Sequence, residues 1–273
     1  MRFDWYTATV RDVPVYDLID PILALGQGQW DAVPRPGKAR QYQHAVEVLN
    51  LNTERTEGWV RWGGNGGGVL VDFSGEAAHP VAEYLREHHK AAHGPSRSDV
   101  CVDLRGPGLF DELHRIGVDL AGSSHPRISV RSEGDWTWFE AGRSLYFGSS
   151  QSQVQVVVYE KGLQLRGKGI DAPPDLVRIE LRLRPVKELR RWLPGMDIPS
   201  MWGASEFSRQ MLERATAIAV DRVVVPEQPV ADDVRFAAYV DQWGAHFLRW
   251  VDAQGLEAFR DRVVAAKARR RAA

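Results

Sequence analysis

The chain reads LYFGSSQSQVQVVVYEKG from Leu145 to Gly162 and, after a loop, VRIELRL from Val177 to Leu183. Apolar residues alternate with polar ones in both runs, and successive side chains of a β-strand point to opposite faces. The pattern therefore predicts two strands with one apolar face each. The opposite faces carry Tyr159 in the first run and four charged residues in the second: Arg178, Glu180, Arg182 and Arg184.

A third run, Arg97 to Leu104, alternates in the same way and places Asp99 and Asp103 on one face. If the three strands are neighbours, these two acids would join Tyr159 and Glu180 on a face that does not pack on the core. A tyrosine hydroxyl and carboxylates among arginines are the groups that a site handling phosphate needs. They would also suffice for a metal-assisted nucleophile.

Strand-like and helical segments follow one another along the first two hundred residues, whereas the apolar residues after Pro199 recur at helical spacing. We therefore predict an α+β fold of mostly antiparallel sheets with flanking helices, followed by a helical C-terminal part. The predicted domains are residues 1–198, an α+β body, and residues 199–273, a helical region.

The composition is that of a globular protein, with 273 residues, a net charge of −1 and one cysteine. No apolar run is long enough for a transmembrane helix, and the N-terminus lacks the apolar core of a signal peptide. The expectation is a cytoplasmic protein without a membrane partner. Basic residues concentrate between Lys161 and Arg191. This patch is typical of polyanion binding, although a solvated surface would also account for it.

Six short motifs of this sequence, in this order, resemble the replication initiation factor family of plasmids and filamentous phages, the rolling-circle initiators of the Rep_trans type. They span residues 3–183. The motifs are Asp4-Trp5 with Thr7-Ala8-Thr9, Val71-Asp-Phe-Ser-Gly75, Arg97-Ser-Asp-Val-Cys-Val-Asp103, Tyr146-Phe-Gly-Ser149, Val158-Tyr-Glu-Lys-Gly162 and Arg178-Ile-Glu-Leu181.

The resemblance implies a metal-dependent nickase that starts rolling-circle DNA replication, with residues 1–198 as its catalytic domain. It implies that Tyr159 attacks one strand of a single-stranded or cruciform origin, forms a 5′-phosphotyrosine and can reseal the strand. Possible further partners are a host helicase and a second copy in a homodimer. The residues implied are Tyr159 as nucleophile, Lys161 and Arg178 as phosphate contacts, Asp99, Asp103 and Glu180 as ligands of Mg²⁺ or Mn²⁺, and Arg166, Lys168, Arg182 and Arg184 as DNA contacts.

Two departures from the family pattern keep other interpretations open. Glu160 replaces an aspartate, and Ser149-Ser-Gln-Ser152 replaces a basic turn. The alternatives are a DNA-binding replication regulator that no longer cuts, and an unrelated α+β binding protein. Tyr146 is a rival nucleophile, and the acids could simply form ion pairs with arginines across a sheet.

Overall fold

The computed structural model describes residues 1–36, 41–64, 66–138, 141–223, 251–258 and 260–261. In this part of the chain an antiparallel sheet of ten strands has the order β2-β3-β4-β5-β1-β6-β10-β9-β8-β7. The strands are β1 (Arg2–Val10), β2 (Trp30–Pro34), β3 (His44–Asn50), β4 (Arg55–Trp62), β5 (Val69–Ser74), β6 (His93–Arg105), β7 (Val130–Gly134), β8 (Arg143–Phe147), β9 (Val154–Tyr159) and β10 (Leu176–Leu183).

Helices flank this sheet, so the predicted α+β class is confirmed. They are α1 (Tyr16–Leu25), α2 (Ala78–His88), α3 (Leu109–Ser123), α4 (Lys161–Arg166), α5 (Lys187–Trp192), α6 (Ile198–Met201) and α7 (Glu206–Thr216). Helix α2 packs against β1 and β5, α3 against β8 and β9, and α7 against α3. The side chain of Ser205 begins α7 by accepting a hydrogen bond from the backbone N–H of Ser208.

The three alternating runs are neighbouring strands, which is the condition that the predicted shared face required. Strand β10 lies between β6 and β9, with Glu180 opposite Cys101 on one side and opposite Val157 on the other. The apolar side chains Val158, Ile179 and Leu181 are fully buried in the core. Each such side chain stabilises the fold by roughly 1.5–3 kcal/mol when it leaves water.

The other side of these strands carries polar and charged residues, and we call it the polar face. A register shift in β1 between Phe3 and Trp5 brings Asp4 to this side, where it bonds to Arg178. On the central strands the polar face comprises Asp4, Trp5 and Thr7 of β1, Arg97, Asp99, Cys101 and Asp103 of β6, Arg178, Glu180 and Arg182 of β10, and Gln155 and Tyr159 of β9.

Contacts divide the chain into two units, residues 1–225 and residues 226–273. The predicted domain boundary after residue 198 therefore falls inside the first unit, which includes α7. In the second unit the structure describes helical turns at residues 251–254 and 256–258. Most of the C-terminal helical region predicted from the sequence lies outside the described residues. Among those described, no helix has the length and apolarity to cross a membrane.

The thiol of Cys101 gives a simple test of how closed the polar face is. Cys101 is 1% exposed, and burial raises the pKa of its thiol to about 12. Because the thiolate is the reactive form, native protein should resist alkylation at neutral pH and should react after denaturation. Mass spectrometry of iodoacetamide-treated protein measures this, and rapid labelling of the native protein would show that the face opens readily.

Candidate active site and nucleic-acid interface

Tyr159 ends β9 on the polar face, directly opposite Arg178 of β10. Its hydroxyl donates a hydrogen bond to Glu180 Oε2 at 3.1 Å. The side chain is only 7% exposed. Burial raises the pKa of the phenol well above its usual value, and the negative charge of Glu180 raises it further. The phenol is therefore neutral at physiological pH, with a carboxylate in place to receive its proton.

Arg178 joins three strands through its guanidinium. Its Nε and Nη2 bind the two oxygens of Asp103 at 2.5 and 2.8 Å, and its Nη1 binds Asp4 Oδ1 at 2.5 Å. The side chain is 2% exposed. Burial alone would raise the pKa of Asp103, but the hydrogen bonds and charge of Arg178 hold it below its usual value. Asp103 is therefore ionised, and the pair with Arg178 is a fixed part of the sheet.

Asp99 is held by Arg97 on its own strand. Arg97 Nε lies 3.1 and 3.0 Å from the two carboxylate oxygens, and Nη2 lies 2.5 Å from Oδ2. Arg182 links this pair to the tyrosine, because its Nε lies 2.6 Å from Glu180 Oε1 and 3.9 Å from Asp99 Oδ2. Burial raises the pKa of Asp99 to about 6 despite the hydrogen bonds from Arg97. Arg182 thus links Asp99 with Glu180, as Arg178 links Asp4 with Asp103.

The predicted metal ligands do not form a metal site. Asp99 and Asp103 are four residues apart on one strand, which separates their backbones by roughly 13 Å. Glu180 lies opposite Cys101, between them along the strand. Among the described residues no three His, Cys, Asp or Glu side chains come together to hold an ion. A divalent cation needs oxygen ligands at about 2.0–2.6 Å, so the three carboxylates as arranged do not fit Mg²⁺ or Mn²⁺.

Side chains of the polar face close over the tyrosine and its nearest charged neighbours. Tyr159, Glu180, Arg178 and Asp99 are all less than a tenth exposed. Arg178 pairs with Asp103 of β6 and Asp4 of β1, whereas Arg97 and Arg182 pair most closely with a carboxylate on their own strand. This balance of charge lets long polar side chains close over the sheet without leaving a buried charge unpaired.

The remaining predicted cations lie nearer the surface. Lys161 begins α4 with its Nζ 5.6 Å from the centre of the Tyr159 ring. Burial, and then the charge of Arg178, lower the pKa of Lys161. Arg166 and Lys168 are exposed at the end of α4 and just after it. Arg184 is half-buried, and its Nη1 has no hydrogen-bond partner within the described residues.

A cavity of about 610 Å³ opens beside these groups. Its lining includes Asp4, Asp103, Lys161, Lys168 and Arg178. It therefore connects the exposed Lys168 to the buried Arg178, and Lys161, which also lines it, has its Nζ 5.6 Å from the centre of the Tyr159 ring. An anion in this cavity would meet three cations beside two carboxylates.

Sequence reasoning missed two structural partners of this site. Asp4 lies in the first motif but was not predicted as a site residue, although it is the second carboxylate that pairs with Arg178. Glu160, which follows the tyrosine, accepts hydrogen bonds from the backbone N–H and the guanidinium of Arg143. This contact fixes the end of β9 against the start of β8. The glutamate in place of the family's aspartate at position 160 was the one signal for it in the sequence.

Comparison with known proteins agrees with this fold. Residues 123–222 match the family model described as replication initiation factor. The resemblance predicted from the sequence is confirmed. A solved structure of a rolling circle replication initiator protein from Geobacillus stearothermophilus matches with a TM-score of 0.52 and 15% identity, over 81% of this chain and 98% of that chain. At this identity the likeness shows the fold. No curated protein sequence matches the chain.

Proposed function

We propose that this protein initiates rolling-circle DNA replication by nicking one strand of an origin with Tyr159. The observation that carries the proposal is the hydrogen bond from the Tyr159 hydroxyl to Glu180, beside the buried guanidinium of Arg178. A phenol is a weak nucleophile at neutral pH unless a neighbouring base removes its proton. The match to replication initiation factors and the initiator fold support the same function.

The reaction follows from these groups. The Tyr159 oxygen attacks the phosphorus of the scissile phosphodiester while its proton passes to Glu180. The bond to the 3′ oxygen breaks, and the 5′ phosphate stays on the tyrosine. Lys161, with its lowered pKa, gives a proton to the departing 3′ oxygen, and Arg178 offsets the charge that builds on the phosphoryl oxygens. Attack of a 3′ hydroxyl on the phosphotyrosine reverses these steps and reseals the strand.

The DNA that enters is an origin in single-stranded or cruciform form, and Arg166 and Lys168 are its first contacts from the exposed side. Because Tyr159 is buried in the DNA-free protein, DNA binding must separate part of the ion-pair network that covers it. The resemblance also implies Mg²⁺ or Mn²⁺, but no step here passes through an ion because the carboxylates do not fit one. A host helicase and a homodimer remain predictions of the resemblance.

Covalent capture tests the proposal. The protein is incubated with random single-stranded oligonucleotides, in Mn²⁺ and in a chelator, and protein that carries DNA after denaturation is recovered. The expected result is enrichment of one sequence attached through its 5′ phosphate to the peptide that contains Tyr159. Attachment at another residue would overturn the assignment of the nucleophile.

A second candidate function is a replication regulator that binds DNA without cutting it. The observation in its favour is the burial of Tyr159 at 7% exposure, with its raised pKa. The same capture experiment decides between the two. Salt-sensitive DNA binding without any covalent product would establish the regulator and reject the nickase.

The role of Glu180 is tested by the variant Glu180→Gln. The amide oxygen still accepts the hydrogen bond of Tyr159 but cannot take its proton, so adduct formation should slow by about 10²–10⁴-fold. Single-turnover kinetics with the captured sequence measure the rate, and Glu112→Gln, on an exposed position of α3, is the matched control. An unchanged rate in Glu180→Gln would mean that Glu180 is not the base.

A further inference from the structure

A second tyrosine lies beside Tyr159 on the polar face. Tyr146 of β8 is opposite Val157, and Ser144 of β8 is opposite Tyr159. The two tyrosines are therefore diagonal neighbours on one face of adjacent antiparallel strands, with side chains roughly 7–8 Å apart at their bases. Tyr146 is half-buried, whereas Tyr159 is buried. Tyr146 is thus the more accessible of the two phenols.

The surroundings of Tyr146 repeat those of Tyr159. Arg131 of β7 is directly opposite Tyr146, and Glu133 lies diagonally beside it on the same face; burial, and then the Glu133 carboxylate, raise the pKa of the Tyr146 phenol. The guanidinium carbons of Arg131 and Arg182 lie 4.3 and 5.8 Å from the centre of its ring. Each phenol therefore has a glutamate that can accept its proton and an arginine close enough to offset phosphate charge.

Arg182 connects the two phenols physically. Its Nε lies 2.6 Å from Glu180 Oε1, while its guanidinium lies over the ring of Tyr146. Beyond Tyr146 the sheet ends at the exposed strand β7, which carries Arg131 and Glu133 with side chains about half exposed. A DNA strand can therefore approach Tyr146 from the edge of the sheet while another strand occupies the cavity beside Tyr159.

We propose that Tyr146 is a second phosphoryl acceptor, which takes a DNA strand while Tyr159 still holds the first. This inference rests on the proposed nicking by Tyr159. In the second transfer the Tyr146 oxygen attacks a phosphodiester, its proton passes to Glu133, and the bond to the 3′ oxygen breaks. The released 3′ oxygen takes a proton from water, and the resulting hydroxyl returns that proton to water as it attacks the phosphotyrosine of Tyr159. That attack breaks the bond between phosphorus and Tyr159, whose oxygen recovers the proton held by Glu180.

A two-label experiment tests this inference. Wild-type protein is loaded with the captured sequence labelled at its 3′ end, purified as the covalent adduct, and then given the same sequence with a second label at both ends. The expected results are a second label on the peptide that contains Tyr146 and a joined oligonucleotide that carries both labels. Tyr146→Phe should keep the first adduct within about twofold of wild type and lose the second label. Tyr16→Phe, at an exposed tyrosine of α1, is the control.

The outcomes separate the inference from the proposed function. A wild-type protein that forms no first adduct rejects the nickase itself. A normal first adduct with a second label that survives Tyr146→Phe, or that maps to Tyr159 of another copy, rejects only the role of Tyr146. Formation of the first adduct shows that the Tyr146→Phe protein is folded. Loss of the second label then means that the second transfer needs the Tyr146 hydroxyl.

Discussion

Tyr159→Phe is expected to abolish covalent capture of DNA, with a loss on the order of 10³-fold or more in the rate of adduct formation. The substitution removes the oxygen that would attack phosphorus and leaves the ring in place. It also removes the hydrogen bond to Glu180, but Glu180 keeps the guanidinium of Arg182 at 2.6 Å. The free energy of unfolding should therefore fall by only about 1 kcal/mol. Denaturing gels with the captured sequence measure the adduct, and urea titration measures stability.

Two controls give this result its meaning. Origin affinity should stay within a few-fold of wild type, because the phosphate contacts assigned to Lys161, Arg166 and Lys168 are unchanged. Tyr84→Phe, at a tyrosine that bonds to His89 on the helical side, should leave adduct formation intact. An adduct that persists in Tyr159→Phe at the wild-type rate would transfer the nucleophile to another residue, and Tyr146 would be tested first.

Which side chains of the central strands point to the core could be predicted from the sequence. The period of two in β9 and β10 assigns Val158 and Ile179 to the core and Tyr159 and Glu180 to the opposite side, because strand geometry alone determines it. That β6 lies beside β10 could not be predicted from the sequence. Periodicity has no information about which strands pair when they are separated by seventy or more residues, as Asp103 and Arg178 are.

The closure of the polar face could not be predicted. It depends on which arginine meets which acid across strands, and the contact of Asp4 with Arg178 joins residues 174 positions apart. The metal site is a different case. The spacing of Asp99 and Asp103 already excluded a shared ion, since four residues of extended strand span roughly 13 Å. The spacing of these two aspartates therefore argues against the set of metal ligands that the resemblance implies.

Arg178→Met is expected to lower the free energy of unfolding by about 3–5 kcal/mol. Methionine fills a similar volume but carries no charge, so Asp4 and Asp103, whose side chains are 21% and 28% exposed, lose their common buried cation. The cost comes from the two carboxylates that lose this cation, of which Asp103 keeps only Arg2, at 3.3 Å, among the described residues, more than from the attraction that is lost. Urea unfolding at neutral pH measures it. A midpoint equal to that of wild type would show that the network does not stabilise the fold.

The matched control is Arg105→Met, because Arg105 makes a similar pair with Asp175 at 3.3 Å where both groups are more exposed. Solvent screens that pair, so its loss should cost about 0–1 kcal/mol. The pH dependence gives an independent check. Since Arg178 lowers the pKa of Asp103, the stability from this pair is complete above the ordinary carboxyl pKa and is lost as pH falls through the lower folded-state value. The difference in free energy of unfolding between Arg178→Met and wild type should therefore narrow in acid. Adding Asp103→Asn to Arg178→Met should recover part of the lost stability at neutral pH, because it removes one of the two carboxylates that lost Arg178.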